Sequence, residues 1–451
     1  MKKIIATTAA LFLIGCGSPA KPPVESTDTV TDTTTTTVPT TTDSEANLSE
    51  FNITLPAPAV DKYLVSFKVL DYISADDMLK YAQKLDPNIK SAYGYKAVKL
   101  VYYTTNTNNQ TVKASGVLVV PIVGDKNYPI SIVVDNHGTT FEDKDVPSNV
   151  EVQDSAPNLK TATLFTGIEG FATVLPDYLG YGESNGYLHP YIMKYSARAS
   201  IDMLNAAKEY LEEYYNFTND VFITGYSEGG YVAMEMAREM QENNTTYNIK
   251  ALAPMAGPYD VEKLGVYDLN DSRKMVFPPF LAFIAYSYSK AYDFDLSKIV
   301  LKSDVFNNIN LFGGGYDAVE INYYLGLTDL ENNDYGFNTH YPDELFLKDF
   351  LDDFESNPSN TLRLALKANS NYEWVPKMPV NIVNCKDDEI IPYFIADEAN
   401  QTMHALGATN VTLTAIDSSE IPPATTTEPF VHQRCAYPAY ATAAKFFYLL
   451  K

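Results

Sequence analysis

One serine in the chain is flanked by glycines in the stretch FITGYSEGGYVAM, residues 222–234. The apolar residues before the serine are typical of a buried strand, and the residues after it are typical of a helix. Glycines at such a turn let the strand and helix backbones approach, so that the Ser227 hydroxyl projects above the sheet. N–H groups at the start of the helix would then face negative charge developing on a reacting carbonyl. The pattern predicts a nucleophile, whereas a tight turn with serine as a helix cap is the structural alternative.

Strands and helices alternate on both sides of this serine. Near-continuous apolar runs predict buried strands in YPISIVVDNHG, GFATVLPDYLGYGES and IKALAPMAGPYD. Residues 195–215 have apolar residues at helical spacing, and the last dozen residues also read as a helix. Such alternation predicts an α/β fold, with a mostly parallel sheet covered by helices on both faces.

Residues 261–375 break this alternation, because they continue no strand–helix unit. They contain aromatic-rich stretches such as FPPFLAFIAYSYSKAY and LFLKDFLDDF. We interpret this block as an inserted, largely helical cap between two parts of the core, residues 55–260 and 376–451. A cap of this kind can act as a lid, and its aromatic content predicts an apolar pocket for an acyl or aryl group.

Five motifs occur in an order that is familiar from one fold. NHGTT follows the third core strand, PDYLGYGES the next and GYSEGG the one after, and KDDEIIP and FVHQRCA come late in the chain. With these motifs the chain resembles the α/β-hydrolases over about residues 95 to 450. Within that fold it resembles the secretory-lipase type of esterase. The resemblance implies a serine hydrolase that cleaves carboxylic esters, as a lipase or esterase.

A serine of ordinary pKa needs a base, and the base needs an acid that orients it. In this fold the nucleophile, the acid and the histidine follow one another along the chain, which implies that His432, before the last helix, is the base. The acid should be Asp388, since the family pattern of Asp, two residues, an aliphatic residue and Pro begins there; Asp387 is the alternative. Structural or surface roles are expected for the other four histidines, which are His137, His189, His340 and His404.

Two backbone N–H groups should form an oxyanion hole, by the same resemblance. One belongs to Glu228, directly after the nucleophile, and the other to Thr139, where Gly138 lets the backbone approach. The alternative for this loop is a glycine turn with a structural histidine. In the implied mechanism Ser227 attacks an ester carbonyl, His432 takes its proton, and water later cleaves the acyl-enzyme. This chemistry needs no metal and no organic cofactor.

Two cysteines flank the implied acid and base. Cys385 comes three residues before Asp388, and Cys435 comes three residues after His432. Because the acid and the base must be in contact, we expect the two cysteines to lie near each other. A disulfide would brace both loops, but two buried thiols are equally compatible with the sequence, which does not supply the Cα separation that a bridge requires.

The first residues have the features of a targeting signal. Lys2 and Lys3 precede the apolar run IIATTAALFLI, and the segment ending LIGC resembles the lipobox of bacterial lipoproteins. Residues 1–15 would then be a signal peptide, Cys16 the lipidated residue, and the Thr- and Pro-rich residues 16–54 a disordered linker. This resemblance implies a domain in the bacterial periplasm or at the cell surface, anchored by lipid alone and most often at the outer membrane.

The charge balance and the motifs restrict the remaining function classes. The chain of 451 residues has a net charge of −24, which argues against a nucleic-acid partner because phosphate binding needs clustered Lys and Arg. A secreted serine peptidase or a polysaccharide deacetylase could use the same triad on the same fold. A non-catalytic surface binding protein with a degenerate hydrolase fold is the alternative from another class.

Overall fold

A computed structural model gives the structure of the chain, and it describes residues 48, 51, 54–125, 127–149, 160–243, 245–270, 272–329 and 335–451. The predicted signal peptide, the lipidation residue Cys16 and nearly all of the predicted linker lie outside the described residues. Those three assignments therefore stay predictions.

Nine strands of the described chain form one sheet. Their bounds are Leu64–Ile73 (β1), Gly94–Thr105 (β2), Thr111–Ile122 (β3), Ile130–Asn136 (β4), Ala172–Pro176 (β5), Phe217–Tyr226 (β6), Asn248–Met255 (β7), Val380–Cys385 (β8) and Val411–Ile416 (β9). They lie in the order β1-β2-β3-β5-β4-β6-β7-β8-β9. The pairs β1–β2, β2–β3 and β3–β5 are antiparallel, and every pair from β5 to β9 is parallel. The prediction of a mostly parallel sheet is confirmed.

Helices cover both faces of the parallel part, which explains its continuous apolar sequence. Strands β4, β5 and β8 are buried at every residue. The helices are Ala75–Leu85 (α1), Lys160–Ala162 (α2), Ser196–Tyr214 (α3), Glu228–Glu242 (α4), Val261–Asp268 (α5), Pro278–Tyr292 (α6), Ser303–Asn308 (α7), Ala318–Leu325 (α8), Lys348–Ser356 (α9), Thr361–Asn369 (α10), Tyr393–Ala405 (α11) and Val431–Tyr448 (α12). Within the described ranges, no helix has the length and apolar character that a bilayer crossing requires.

Six of these helices, α5 to α10, lie between β7 and β8, in the block whose sequence predicts a cap. Aromatic side chains join them to the core. Phe283 of α6 stacks on Tyr191 with ring centroids 4.3 Å apart and on Phe312 at 4.5 Å. Phe141, in the loop after β4, lies 5.9 Å from both Phe280 and Phe283. These contacts attach the helices to the loops that follow the parallel strands, where Ser227 also lies.

Candidate active site

Ser227 lies at the turn between β6 and α4, in a strained backbone conformation. Its φ is 59° and its ψ is −122°, a region that residues with a Cβ rarely adopt. The Ser227 N–H donates a hydrogen bond of 2.9 Å to the carbonyl of Met255 in the neighbouring strand. The Ser227 carbonyl accepts from the N–H groups of Gly230 and Tyr231. These bonds hold the turn in a conformation that presents the serine side chain at the carboxyl ends of the parallel strands.

The glycines around Ser227 are required by direct contact between backbones. A Cβ atom on Gly225 would lie 2.2 Å from the carbonyl oxygen of Gly229. A Cβ on Gly229 would lie 1.8 Å from the carbonyl oxygen of Asn136, at the end of β4. Any larger residue would push α4 away from the sheet, so the motif follows from the packing of β4, β6 and α4.

Ser227, His432 and Asp388 form one hydrogen-bonded line, and all three are buried. The Ser227 Oγ lies 2.9 Å from Nε2 of His432, whose Nδ1 lies 2.8 Å and 3.0 Å from the two oxygens of Asp388. Asp388 also accepts from the N–H groups of Ile390 and Ile391, which fix its carboxylate. A carboxylate facing Nδ1 keeps the proton on that nitrogen and leaves Nε2 free to accept the serine proton.

Asp387, the alternative acid in the sequence, is exposed and contacts a different residue. Its carboxylate accepts a hydrogen bond from the hydroxyl of Ser418. The adjacent side chains point apart, so Asp388 is the member of this pair that lies against His432.

His432 is the second residue of α12, whereas the sequence pattern predicts it in the loop before the last helix. The carboxylate of Glu389 accepts the N–H of Val431 at 2.7 Å and that of His432 at 3.1 Å. N–H groups in the first turn of a helix have no acceptor within the helix, and such groups favour a nearby anion. The Tyr226 hydroxyl donates to the His432 carbonyl at 2.6 Å. Burial, and then the charge of Asp388, raise the pKa of Glu389.

Sequence reasoning missed this role of Glu389. The residue is visible in KDDEIIP as a third acid, but its partners lie 42 and 43 residues away. The signal that could have identified it is the lack of a side-chain cap where α12 begins, because a helix start without a local acceptor needs one from elsewhere.

The N–H groups of Glu228 and Thr139 have no acceptor within the part of the chain that the structure describes. Glu228 is the first residue of α4, where a helix offers donors without partners. A Cβ on Gly138 would lie 3.6 Å from the Cβ of Ser227, so the loop after β4 runs directly beside the serine. The Thr139 side chain is 3.1 Å from the Tyr191 hydroxyl. Two backbone donors are thus available near Ser227.

The Glu228 side chain makes a buried contact that the sequence did not predict. Its Oε1 lies 2.7 Å from Nε2 of His189, and both side chains are almost fully enclosed. The other nitrogen of His189 lies 2.9 Å from the carbonyl of Leu179, so it carries a proton and donates. His189 therefore fixes the side chain of the residue that follows the nucleophile, in keeping with the structural role expected for it.

The other three histidines lie apart from the line of Ser227 and His432. His137 is partly buried against Tyr178, with its Nδ1 2.7 Å from the carbonyl of Gly138, and burial lowers its pKa. His340 contacts Glu344, and His404 contacts the carbonyl of Ala408.

Cys385 and Cys435 are joined by a disulfide, with their Cα atoms 6.0 Å apart. Cys385 is the last residue of β8, and Cys435 lies in the first turns of α12. Both are fully buried. The bridge ties the strand that precedes Asp388 to the helix that carries His432.

Ser227 and Glu228 border a pocket with mostly apolar walls. Its walls come from α5, α6 and α10 and from the residues after Asp388. Representative lining side chains are Leu264, Ile284, Leu366 and Ile390. A pocket with these walls suits an apolar group attached to a carbonyl beside the serine.

No protein-family model and no curated protein matches the chain. Among solved structures, the rice cell wall degrading esterase LipA from Xanthomonas oryzae is 22% identical, with a TM-score of 0.73 over 86% of this chain and 99% of that one. Lipase A from Candida antarctica is 18% identical, with a TM-score of 0.55 over 83% of each chain. At these identities the similarity establishes the fold, and the predicted α/β-hydrolase fold is confirmed.

Proposed function

We propose that this protein is a serine hydrolase that cleaves carboxylic esters through an acyl-enzyme intermediate. The observation that carries the proposal is the hydrogen-bonded line from Ser227 through His432 to Asp388, in which Ser227 borders an apolar pocket. Each member is in the position its role requires, since the base contacts both the nucleophile and the orienting acid.

In the first half of the reaction Ser227 Oγ attacks the ester carbonyl, and its proton passes to Nε2 of His432. The imidazole becomes a cation, which the Asp388 carboxylate stabilises from the Nδ1 side. The carbonyl oxygen becomes an anion, and the N–H groups of Glu228 and Thr139 donate to it. Removing one such donor in a hydrolase typically costs about 3 kcal/mol of transition-state stabilisation.

In the second half His432 returns the proton to the leaving alcohol, and the acyl group stays on Ser227. Water enters the position that the alcohol leaves, and His432 takes a proton from it as it attacks the acyl carbonyl. The same two N–H groups stabilise the second tetrahedral anion. The residues of this site supply every proton transfer that the two steps need.

Two further observations support an ester substrate that carries an apolar group. The pocket beside Ser227 has apolar walls, which suit the acyl or aryl part of an ester. The structurally similar LipA is described as an esterase, and the similar Candida antarctica protein as a lipase.

The proposal is tested with p-nitrophenyl esters from acetate to palmitate, using the full chain in mild detergent. Ser227→Ala should lower kcat/KM by at least about 10³-fold, because the remaining oxyanion donors cannot replace the nucleophile. Ser359→Ala, at an exposed serine after α9, is the matched control and should hydrolyse esters at the wild-type rate.

Three results would contradict the proposal. A folded wild-type protein that leaves every ester intact would favour a binding protein. Cleavage of peptide amides without ester cleavage would favour a peptidase, and release of acetate from the amide groups of N-acetylated polysaccharide, without ester cleavage, would favour a deacetylase.

We also propose that the chain is a lipoprotein of the bacterial cell envelope, acylated at Cys16. The support is the sequence LIGC at the end of a short apolar run that Lys2 and Lys3 precede. Expression in a bacterial host fed an alkyne-tagged fatty acid should label the wild-type chain and leave Cys16→Ser unlabelled. Equal labelling of both chains would contradict this assignment.

A further inference from the structure

One carboxylate faces the apolar pocket at a distance from the triad. Beyond Ser227, Glu228 and Tyr191, the described lining is made of apolar residues and glycine, with Asp268 as the exception. An ionisable group in an apolar wall is costly unless something pairs with it. Asp268 therefore needs an explanation.

Helix α5 carries Asp268 away from the serine. The carbonyl of Met255, at the end of β7, accepts the Ser227 N–H, and α5 begins six residues later at Val261. Val261, Leu264, Gly265 and Asp268 follow one another at helical spacing, and all of them line the pocket. With a rise of 1.5 Å per residue, Asp268 lies about 10 Å further along the helix than Val261. It stands toward the far end of this wall.

No described residue donates a hydrogen bond to the Asp268 carboxylate. The nearby cation, Arg273, has its guanidinium 3.7 Å above the ring of Tyr267. Burial raises the pKa of Asp268 to about 7, against the opposing charge of Arg273. Asp268 is also the last residue of α5, where a negative charge meets the negative end of the helix dipole. These observations show no contribution of the Asp268 side chain to the stability of the folded protein.

A ligand group could provide the missing partner. The partner must donate a hydrogen bond and must reach Asp268 through an apolar channel. A hydroxyl group on a hydrocarbon chain meets both conditions, whereas an ammonium group would have to lose its hydration on entering apolar surroundings. The remaining walls, among them Leu264, Phe280 and Ile284, contact only the hydrocarbon.

We infer that Asp268 binds a hydroxyl group at the distal end of the substrate's acyl chain, which makes ω-hydroxyacyl esters the preferred substrate class. This inference rests on the proposed ester hydrolysis. It adds that a plain acyl chain leaves the half-buried Asp268 carboxylate without a hydrogen-bond donor from the substrate. A hydrogen bond to a charged group is lost in that case, which corresponds to roughly a tenfold to hundredfold preference for the hydroxylated chain in kcat/KM.

The test compares p-nitrophenyl octanoate, decanoate and dodecanoate with their ω-hydroxy counterparts, using the full chain. The wild type should prefer the hydroxylated ester at one chain length by at least about tenfold in kcat/KM. Asp268→Leu should abolish this preference and raise the rate on the plain ester, because an apolar side chain then meets an apolar chain end. Asp268→Asn should retain part of the preference, since its amide oxygen still accepts.

A matched control is Asp349→Asn, at an exposed acid of α9, which should keep the wild-type ratio at every chain length. Thermal unfolding of each variant shows that the substituted proteins are folded. Equal ratios for the wild type and Asp268→Leu, with plain esters still cleaved, would overturn the inference and leave the proposed function standing. Preference for ω-amino over ω-hydroxy esters would overturn the hydroxyl assignment, and absence of all ester cleavage would refute both.

Discussion

Glu389 offers a direct test of how α12 positions the base. Its carboxylate accepts the first two N–H groups of the helix, one of which belongs to His432 itself. Glu389→Gln keeps the shape of the side chain, but it replaces one acceptor oxygen with an NH₂ group that faces an N–H donor. The change loses one charge-assisted bond, which is ordinarily a loss of about 1.5–3 kcal/mol.

Stability should fall by less than that figure. Burial and the adjacent Asp388 raise the pKa of Glu389, so its charged form is costly in the folded protein. Removing the charge returns part of this cost, and we expect a net loss of only about 1 kcal/mol in the free energy of unfolding. Catalysis is more sensitive, because a small displacement of His432 lengthens its 2.9 Å contact with Ser227.

We therefore expect Glu389→Gln to lower kcat for p-nitrophenyl esters by about 10- to 100-fold. KM should stay near the wild-type value, because the pocket itself is unchanged. Asp387→Asn is the matched control, since Asp387 is an exposed acid two residues earlier that faces Ser418. A kcat for Glu389→Gln within twofold of the wild type would refute the positioning argument, as would an equal loss in Asp387→Asn.

Three other predictions follow from single contacts. Asp388→Asn should reduce kcat by about 10⁴-fold, because an amide facing Nδ1 favours the wrong imidazole tautomer. Steady-state kinetics measures this loss, and a melting curve of the variant shows whether a folding defect causes it instead. Replacing Cys385 and Cys435 together by Ala should lower the free energy of unfolding by about 4 kcal/mol, the loop-entropy value for a bridge across 50 residues. Denaturant titration measures that loss, and wild type under reducing conditions should match the double variant. Burial raises the pKa of Asp135 to about 7, although hydrogen bonds from Thr161 and Tyr440 oppose the shift. Between about pH 4 and 7 the folded state therefore keeps a proton on Asp135 that the unfolded state has lost, and the free energy of unfolding should fall as the pH rises through this range. Asp135→Asn cannot ionise and should flatten this slope in thermal unfolding between about pH 4 and 7. An unaltered slope would show that Asp135 is not responsible.

The sequence predicted features that depend on local backbone constraints or on chain order. The motif around Ser227 can be recognised in the sequence because only glycine tolerates the contacts at Gly225 and Gly229. Buried strands such as β4 and β8 are readable because both of their faces lack polar residues. Asp388 and His432 were selected by motif and order, and the structure brings them within 3 Å of each other.

Other features join residues that no local pattern connects. The contact of Glu389 with α12, and that of Glu228 with His189, span about forty residues each. The helical position of His432 was also missed, because α12 begins with an acceptor supplied by Glu389 rather than by its own cap residue. Nothing in the sequence indicates that Asp268 lines the pocket, since an acid in an amphipathic helix ordinarily faces solvent.

The sequence by itself determined the α/β class, the serine turn and the order of the residues around it, because those depend on residue size, polarity and position along the chain. The tertiary structure alone decided which acid contacts His432, whether Cys385 and Cys435 meet, and what the apolar helices enclose. Each of those depends on distances between β8, α12 and the inserted helices, and such distances are set by packing across the whole core.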